Sequence, residues 1–323
     1  MEFRRELEVK PFEKRLNIRQ KIMLSGSCFT EHLSERLVQN RFNILQNPNG
    51  IIFNPASISS SLSSYITPRK YDRNDIFIRD GLWSCWDHHS KFTHSDPDKL
   101  LAMINGSQQQ AHEFLKHADW LIITLGSAWV YLLENGEVVA NCHKVPNDKF
   151  RKKLLAIEDV LSALDNMMHR VFMFNPGLRI IFTISPVRHL RDGFVENNRS
   201  KAVLIQAVHH LVEKFNKLYY FPAYELVIDD LRDYRFYAED MVHPNYQATA
   251  YVWEKFSEAC IDIESRKFMK EITPVNAAMA HKPFQPDSDA HLSFRKKQYN
   301  KLLQLRSEYP FLNFDKEIDF FRD

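Results

Sequence analysis

At 323 residues, with 44% hydrophobic and 26% charged side chains, the chain can bury a full core and is too apolar to be a disordered or fibrous sequence. Lys plus Arg number 43 against 41 for Asp plus Glu; the net charge of +2 gives no general field for a polyanion, which argues against nucleic acid as a partner. No run approaches the ~18 consecutive apolar residues of a membrane span, and the opening MEFRRELEVKPFEKRL lacks the apolar core of a secretory leader. The expectation is a cytoplasmic protein with no membrane partner.

Cys28, Cys85, Cys142 and Cys260 form no CxxC pair, so no disulfide framework is implied. His88, His89 and His94 near Cys85 lack the spacing of a zinc site, and both glycine-rich phosphate loops are missing. No metal and no cofactor are expected.

In chain order, KIMLSGS (21–27) reads as a buried strand ending in a tight turn, and CFTEHLSERLVQN behind it as a helix. Asn47-Pro-Asn-Gly50 is a turn signature, and Asn54-Pro55 opens a Ser-rich helix. Residues 67–93 read as an irregular or β-hairpin insertion, and 98–117 as a helix. DWLIITLG (119–126) is the clearest buried strand and belongs at the centre of a parallel sheet. VYLLENGEVVA (130–140), with Asn135-Gly136 between apolar runs, signals a hairpin with a type I′ turn. Helix 157–174, strand 179–186, helix 199–219 and strand 224–230 follow, and a last helix runs from Pro244 to about Lys270. From Thr273 the tail loses this rhythm; its charged helical piece 292–306 is expected to pack as an appendage or to form a contact between copies of the chain.

Strands alternating with helices require a parallel sheet with the ligand site beyond its carboxyl ends. Ser27 lies at such an end, just before a helix whose N–H groups would favour developing negative charge. The plain alternative is that Ser27 caps the helix. Asp240-Met-Val-His243-Pro244 supplies the partners: the three-residue offset lets Asp240 orient His243, and His243 can take a proton from a serine that the fold brings near. Its plain alternative is a surface loop in which Asp240 caps the last helix. Cys28 beside Ser27 reads as a packed small residue, since successive residues at a helix start point about 100° apart and only one can face the base.

These blocks carry a resemblance. GSCFT (26–30), Asn47-Pro-Asn-Gly50 with Asn54-Pro55, Leu125-Gly-Ser-Ala-Trp-Val-Tyr131, Ala140-Asn-Cys-His-Lys144, Ser185-Pro-Val-Arg-His189 and Asp240-Met-Val-His243-Pro244 resemble, in order, those of the GSCFA family within the SGNH (GDSL-like) hydrolase superfamily. Thr30 stands where the namesake motif has Ala. The resemblance implies a three-layer α/β/α domain with a central parallel sheet of flavodoxin-like order, with a β-hairpin insertion, over residues 1–270, followed by a C-terminal helical extension over 271–323. It implies Ser27 as nucleophile, His243 as base and Asp240 as its partner, acting on a short O-acyl ester of a small molecule or carbohydrate. Oxyanion donors in the superfamily are the N–H of the nucleophile, a Gly in the next loop and an Asn after the central strand. Gly50 matches the second by position; in Gly126-Ser127-Ala128 the third is replaced by Ala128. Loss of such a donor costs on the order of 100- to 1000-fold in rate, so the expectation is that hairpin 130–143 brings Asn141 or His143 to the oxyanion, with Ser127 a further candidate. Arg188 and His189, at the end of a strand, either bind an anionic part of the substrate or close the sheet edge. Two other functions remain open at this point: an O-acyltransferase using the same serine, and a binding module that has lost catalysis.

Overall fold

The computed structural model describes residues 5–322. In chain order the strands are β1 (Lys21–Gly26), β2 (Asn43–Gln46), β3 (Ile76–Arg79), β4 (Leu82–Cys85), β5 (Thr93–His94), β6 (Trp120–Leu125), β7 (Trp129–Leu132), β8 (Val138–Val139), β9 (Arg151–Leu154), β10 (Arg179–Ile184) and β11 (Leu218–Phe221). The helices are α1 (Phe29–Gln39), α2 (Pro55–Ile66), α3 (Pro97–Lys116), α4 (Ile157–Phe174), α5 (Phe194–Lys214), the single turn α6 (Ala223–Glu225), α7 (Tyr246–Cys260), α8 (Ile263–Ala280), α9 (Asp289–Glu308) and α10 (Asp315–Phe321).

Five parallel strands form the central sheet in the order β11-β10-β6-β1-β2. Counted along the chain this is the 2-1-3-4-5 order of flavodoxin-like folds. Both faces are covered, which is why β6 is apolar along almost its whole length. Side chains alternate between the two cores: Ile22, Leu24, Trp120, Ile122 and Ile181 meet α1, α7 and α8, while Met23, Leu121, Ile123, Ile180 and Phe182 meet α2, α4 and α5. The result is the expected three-layer α/β/α arrangement.

Two small antiparallel sheets, β3-β4-β5 and β8-β7-β9, are added to it. The first contains a true two-residue hairpin: Arg79 pairs with Leu82, and Asp80 and Gly81 both have positive φ, 48° and 77°, as a type I′ turn requires. The Asn135-Gly136 turn departs from the type I′ expectation. Only Gly136 has positive φ, Gly136 N–H bonds Leu133 O, and Leu133 N–H bonds Glu137 O. This is a three-residue loop with Gly in the left-handed position.

Three further expectations are corrected. The fifth strand of the main sheet is Leu218–Phe221, and residues 224–230 are helical. Pro222 has no N–H for a strand ladder; its carbonyl instead accepts Leu226 N–H at 3.0 Å, and Leu226, Val227, Asp230 and Leu231 are buried at helical spacing. The helix before it is accordingly Phe194–Lys214 and not 199–219. The last helix of the domain divides at Ile261, where the chain pairs with Leu16, and restarts with Asp262 capping the N–H of Ser265 at 2.7 Å.

The tail packs on the main body: Leu302, Leu305, Phe314, Ile318 and Phe321 join the same apolar core as Ile22 and Leu24. At the other end, Leu16 is fully buried, its N–H bonds Cys260 O at 2.7 Å, and its carbonyl receives Asp262 N–H at 2.9 Å. Phe12 N–H bonds Ala259 O, and the Phe12 ring stacks on Tyr219.

Candidate active site

β1 ends where β6 comes closest. A Cβ on Gly26 would lie 2.4 Å from Thr124 O, so only glycine lets the strands meet there. Gly26 N–H donates to Asn47 Oδ1 at 2.9 Å and Ser27 N–H to Thr124 O at 3.1 Å, which holds Ser27 rigidly at the carboxyl edge of the sheet. Ser27 is enclosed, and its Oγ accepts the Phe29 N–H at 3.3 Å. The capping alternative is thus present in the same atom that would be the nucleophile: Cys28 occupies the N-cap position of α1 but makes no side-chain cap. Burial, and secondarily Glu31, pushes the Cys28 thiol pKa up, so it stays a poor thiolate beside Ser27.

Asp240 and His243 sit in a loop folded around the carboxylate. Asp240 Oδ1 accepts the N–H groups of Val242 (2.9 Å) and His243 (3.0 Å), and Oδ2 meets His243 Nδ1 at 2.7 Å. The His243 N–H, the imidazole and the Val242 N–H together bring the Asp240 pKa down to about 2. A carboxylate on Nδ1 fixes the tautomer with its proton there and leaves Nε2 as the basic nitrogen. Met241, at φ +56°, makes the sharp bend. The loop is tied to the sheet by Arg188 N–H on Val242 O at 3.1 Å and by pairing of Tyr237 with Pro244. Burial chiefly disfavours protonation of His32, on α1 just past Ser27, and of His189, and His243 adds a smaller push in the same direction to both. Among the described residues no hydrogen bond joins Ser27 to His243.

Most of the expected oxyanion donors are committed elsewhere. Gly50 N–H closes its turn on Asn47 O at 2.7 Å. Gly126 N–H bonds Phe53 O at 2.8 Å. Ser127 Oγ pairs with Ser200 Oγ and accepts Trp129 N–H, and Ala128 N–H bonds Ser200 Oγ at 2.7 Å. Asn141 Oδ1 holds the His143 N–H; His143 Nε2 bonds Cys85 O at 2.9 Å, with Phe77 and Trp86 packed edge-on around the ring. Hairpin 130–143 therefore locks His143 against the β3–β4 hairpin. Between the two hairpins and α2 lies a polar cavity of about 450 Å³, and none of Ser27, Asp240 and His243 lines it.

Two residues for which no catalytic role was expected lie at this strand edge. Asn47 is buried; while its Oδ1 holds Gly26, its Nδ2 has no partner. Lys201 is fully enclosed and donates to Gly126 O and Ser185 O, both at 2.6 Å, joining the ends of β6 and β10. Its signal was a lysine inside the buried stripe Asn197, Ser200, Lys201, Leu204, Val208 of α5. His189 stacks on Phe53 with its Nε2 over Gly126 and without a partner, and burial, then Lys201 and His243, brings its pKa down to about 3. Arg188 lies over Tyr237.

The parallel α/β sheet thus carries a serine after its first strand and an Asp–His pair before a late helix. The chain belongs to the GSCFA family: the family model matches residues 21–256, and a model described as the C-terminal domain of GSCFA domain proteins matches 272–323. No curated protein matches the chain. Solved structures similar to it include a protein from Parabacteroides merdae described as a GDSL-like lipase, 12% identical, covering 79% of this chain and 98% of its own, with a TM-score of 0.41. A family 3 carbohydrate esterase from Clostridium thermocellum is 11% identical over 78% of this chain and 97% of its own, with a TM-score of 0.37. An acetyl xylan esterase from Butyrivibrio proteoclasticus is 11% identical over 75% of this chain and 64% of its own, with a TM-score of 0.39. No described helix is long and apolar enough to cross a membrane, and the described residues contain no metal-holding group of three or more His, Cys, Asp or Glu.

Proposed function

We propose that the chain hydrolyses short O-acyl esters through an acyl-enzyme on Ser27. The reading is carried by the Asp240–His243 pair: a carboxylate held ionised on Nδ1 at 2.7 Å, with Nε2 left as base, on a loop tied to the sheet edge where Ser27 sits. His243 Nε2 takes the Ser27 proton as Oγ bonds the acyl carbon; the imidazolium then returns it to the leaving alcohol. Water, deprotonated by the same nitrogen, releases the acid. For this, the Ser27 hydroxyl must turn away from the Phe29 N–H. The oxyanion falls to Asn47 Nδ2, the buried amide still free beside Gly26. Similarity to esterases that act on carbohydrates makes an acetylated sugar the first substrate to try.

A second reading, a binding module on the same fold, is favoured by the commitment of the Ser27, Gly50 and Gly126 N–H groups to other carbonyls. Labelling with a fluorophosphonate probe and turnover of p-nitrophenyl acetate separate the two. The esterase reading expects both in wild type and in Cys28→Ala, and neither in Ser27→Ala or His243→Ala. A folded wild type that neither labels nor turns over would leave the binding module.

A further inference from the structure

We propose that Arg188 and Tyr237 form an anion subsite beside His243, so that the ester taken by this site carries a carboxylate or phosphate. The inference rests on the reading of Ser27 as an ester-cleaving serine, and adds a substrate class to it.

The Arg188 guanidinium has a cage but no counter-ion. It lies 4.1 Å from the Tyr237 ring centroid, 5.2 Å from that of Tyr234 and 5.9 Å from that of Phe194. Aromatic faces hold a guanidinium in place without using its N–H donors. Among the described residues no carboxylate pairs with it, and the acids near it in sequence are engaged elsewhere, Asp192 with Lys152 and Glu196 with Arg199. Arg188 Nη1 is buried without a hydrogen-bond partner.

The Tyr237 hydroxyl repeats the pattern. Tyr237 is 6% exposed and its hydroxyl is buried with no partner. Burial raises its pKa although Arg188 opposes the rise, so it is a neutral O–H. Even where it accepts from the guanidinium it still has a proton to give. Arg188 Nη1 and the Tyr237 proton are left without an acceptor, and buried donors cost stability when left unfilled. A carboxylate or phosphate oxygen answers both, and the planar guanidinium fork fits either anion.

The subsite is bound to the chemistry by the backbone, since the Arg188 N–H holds Val242, the neighbour of His243. The rim is open: Phe194, Tyr234 and Met241 are large apolar side chains about half exposed, a wall suited to the body of an ester whose charged end reaches inward.

The test pairs 4-acetoxybenzoate with its neutral methyl ester, and sets competition by inorganic phosphate against competition by 4-hydroxybenzoate. The expected ratio of kcat/KM, charged over neutral, is about 10- to 100-fold in wild type, the size of a charge-assisted hydrogen bond. It falls toward one in Arg188→Met, partly in Tyr237→Phe, and is kept in large part by Arg188→Lys. The stronger competitor identifies the anion. Calorimetric titration of Ser27→Ala with 4-hydroxybenzoate and with methyl 4-hydroxybenzoate reads the subsite without catalysis, so a protein that turns over no ester still gives an answer. Equal binding of the two by Ser27→Ala, or an unchanged ratio in folded Arg188→Met and Tyr237→Phe, overturns the subsite and leaves the role of Ser27 standing.

Discussion

Lys201 makes the stability of this protein depend on pH in an unusual direction. Its amine is enclosed and meets two carbonyl oxygens, Gly126 O and Ser185 O, each at 2.6 Å. A neutral amine has two N–H groups to give and an ammonium has three, so the pocket suits the neutral form. Burial, opposed in part by Cys28, brings the pKa from 10.5 to about 7. In an unfolded chain it returns to about 10.4. Between these values the unfolded state holds a proton that the folded state has released, so stability rises with pH. Below pH 7 both states are protonated and the penalty is at its full, constant value. From pH 7 to pH 9 the wild type should gain about 2 kcal/mol relative to Lys201→Met, which cannot titrate. Urea denaturation of both proteins at pH 7, 8 and 9 measures the difference, since the Cys and Tyr residues that titrate nearby are common to both. Stability curves that run parallel over this range would refute a neutral Lys201.

The remaining predictions concern the site and its supports. Asp240→Asn removes the charge that fixes the His243 tautomer and should lower p-nitrophenyl acetate turnover by about 100-fold or more, with little change in the melting temperature; turnover at the wild-type level would detach Asp240 from the chemistry. Gly26→Ala forces a Cβ to 2.4 Å from Thr124 O and should cost about 3 kcal/mol or more in urea denaturation. Gly136→Ala, at φ +86° with open space around it, should cost about 1–2 kcal/mol. Leu305→Ala opens a cavity in the core shared with the sheet and should cost about 2–5 kcal/mol in a single transition; a second, earlier transition would mark the tail as a separate unit.

The sequence made β1, β6 and β10 legible because each is a short apolar run ended by Gly or Pro and buried on both faces. It misled at 224–230, where an apolar run of strand length follows a proline; periodicity cannot separate a buried strand from a buried turn over so few residues. It misplaced the type I′ turn because Asn135-Gly136 and Asp80-Gly81 are equally good local signals, and the pairing of the flanking strands decides which is used. The Asp240–His243 geometry was legible because it is local, spanning three residues. The donors were not: Gly126, Ser127 and His143 each found a partner in another segment, and Asn47 and Lys201 were left facing the strand edge by contacts no spacing encodes.

The seam between Leu16 and Ile261 changes what counts as the unit of this protein. The segment before β1 bonds the backbone of the α7–α8 junction at Ala259, Cys260 and Asp262, and buries Leu16 against it. Both sides of that seam lie outside residues 21–256, the span recognised by the first family model. A fragment trimmed to that span would lose the strip that fastens α7 to the sheet and expose the apolar floor beneath it. Tension applied between the two ends of the chain would likewise load this short parallel strip in shear before it reached β1, so the seam acts as a mechanical latch for the strand that carries Ser27.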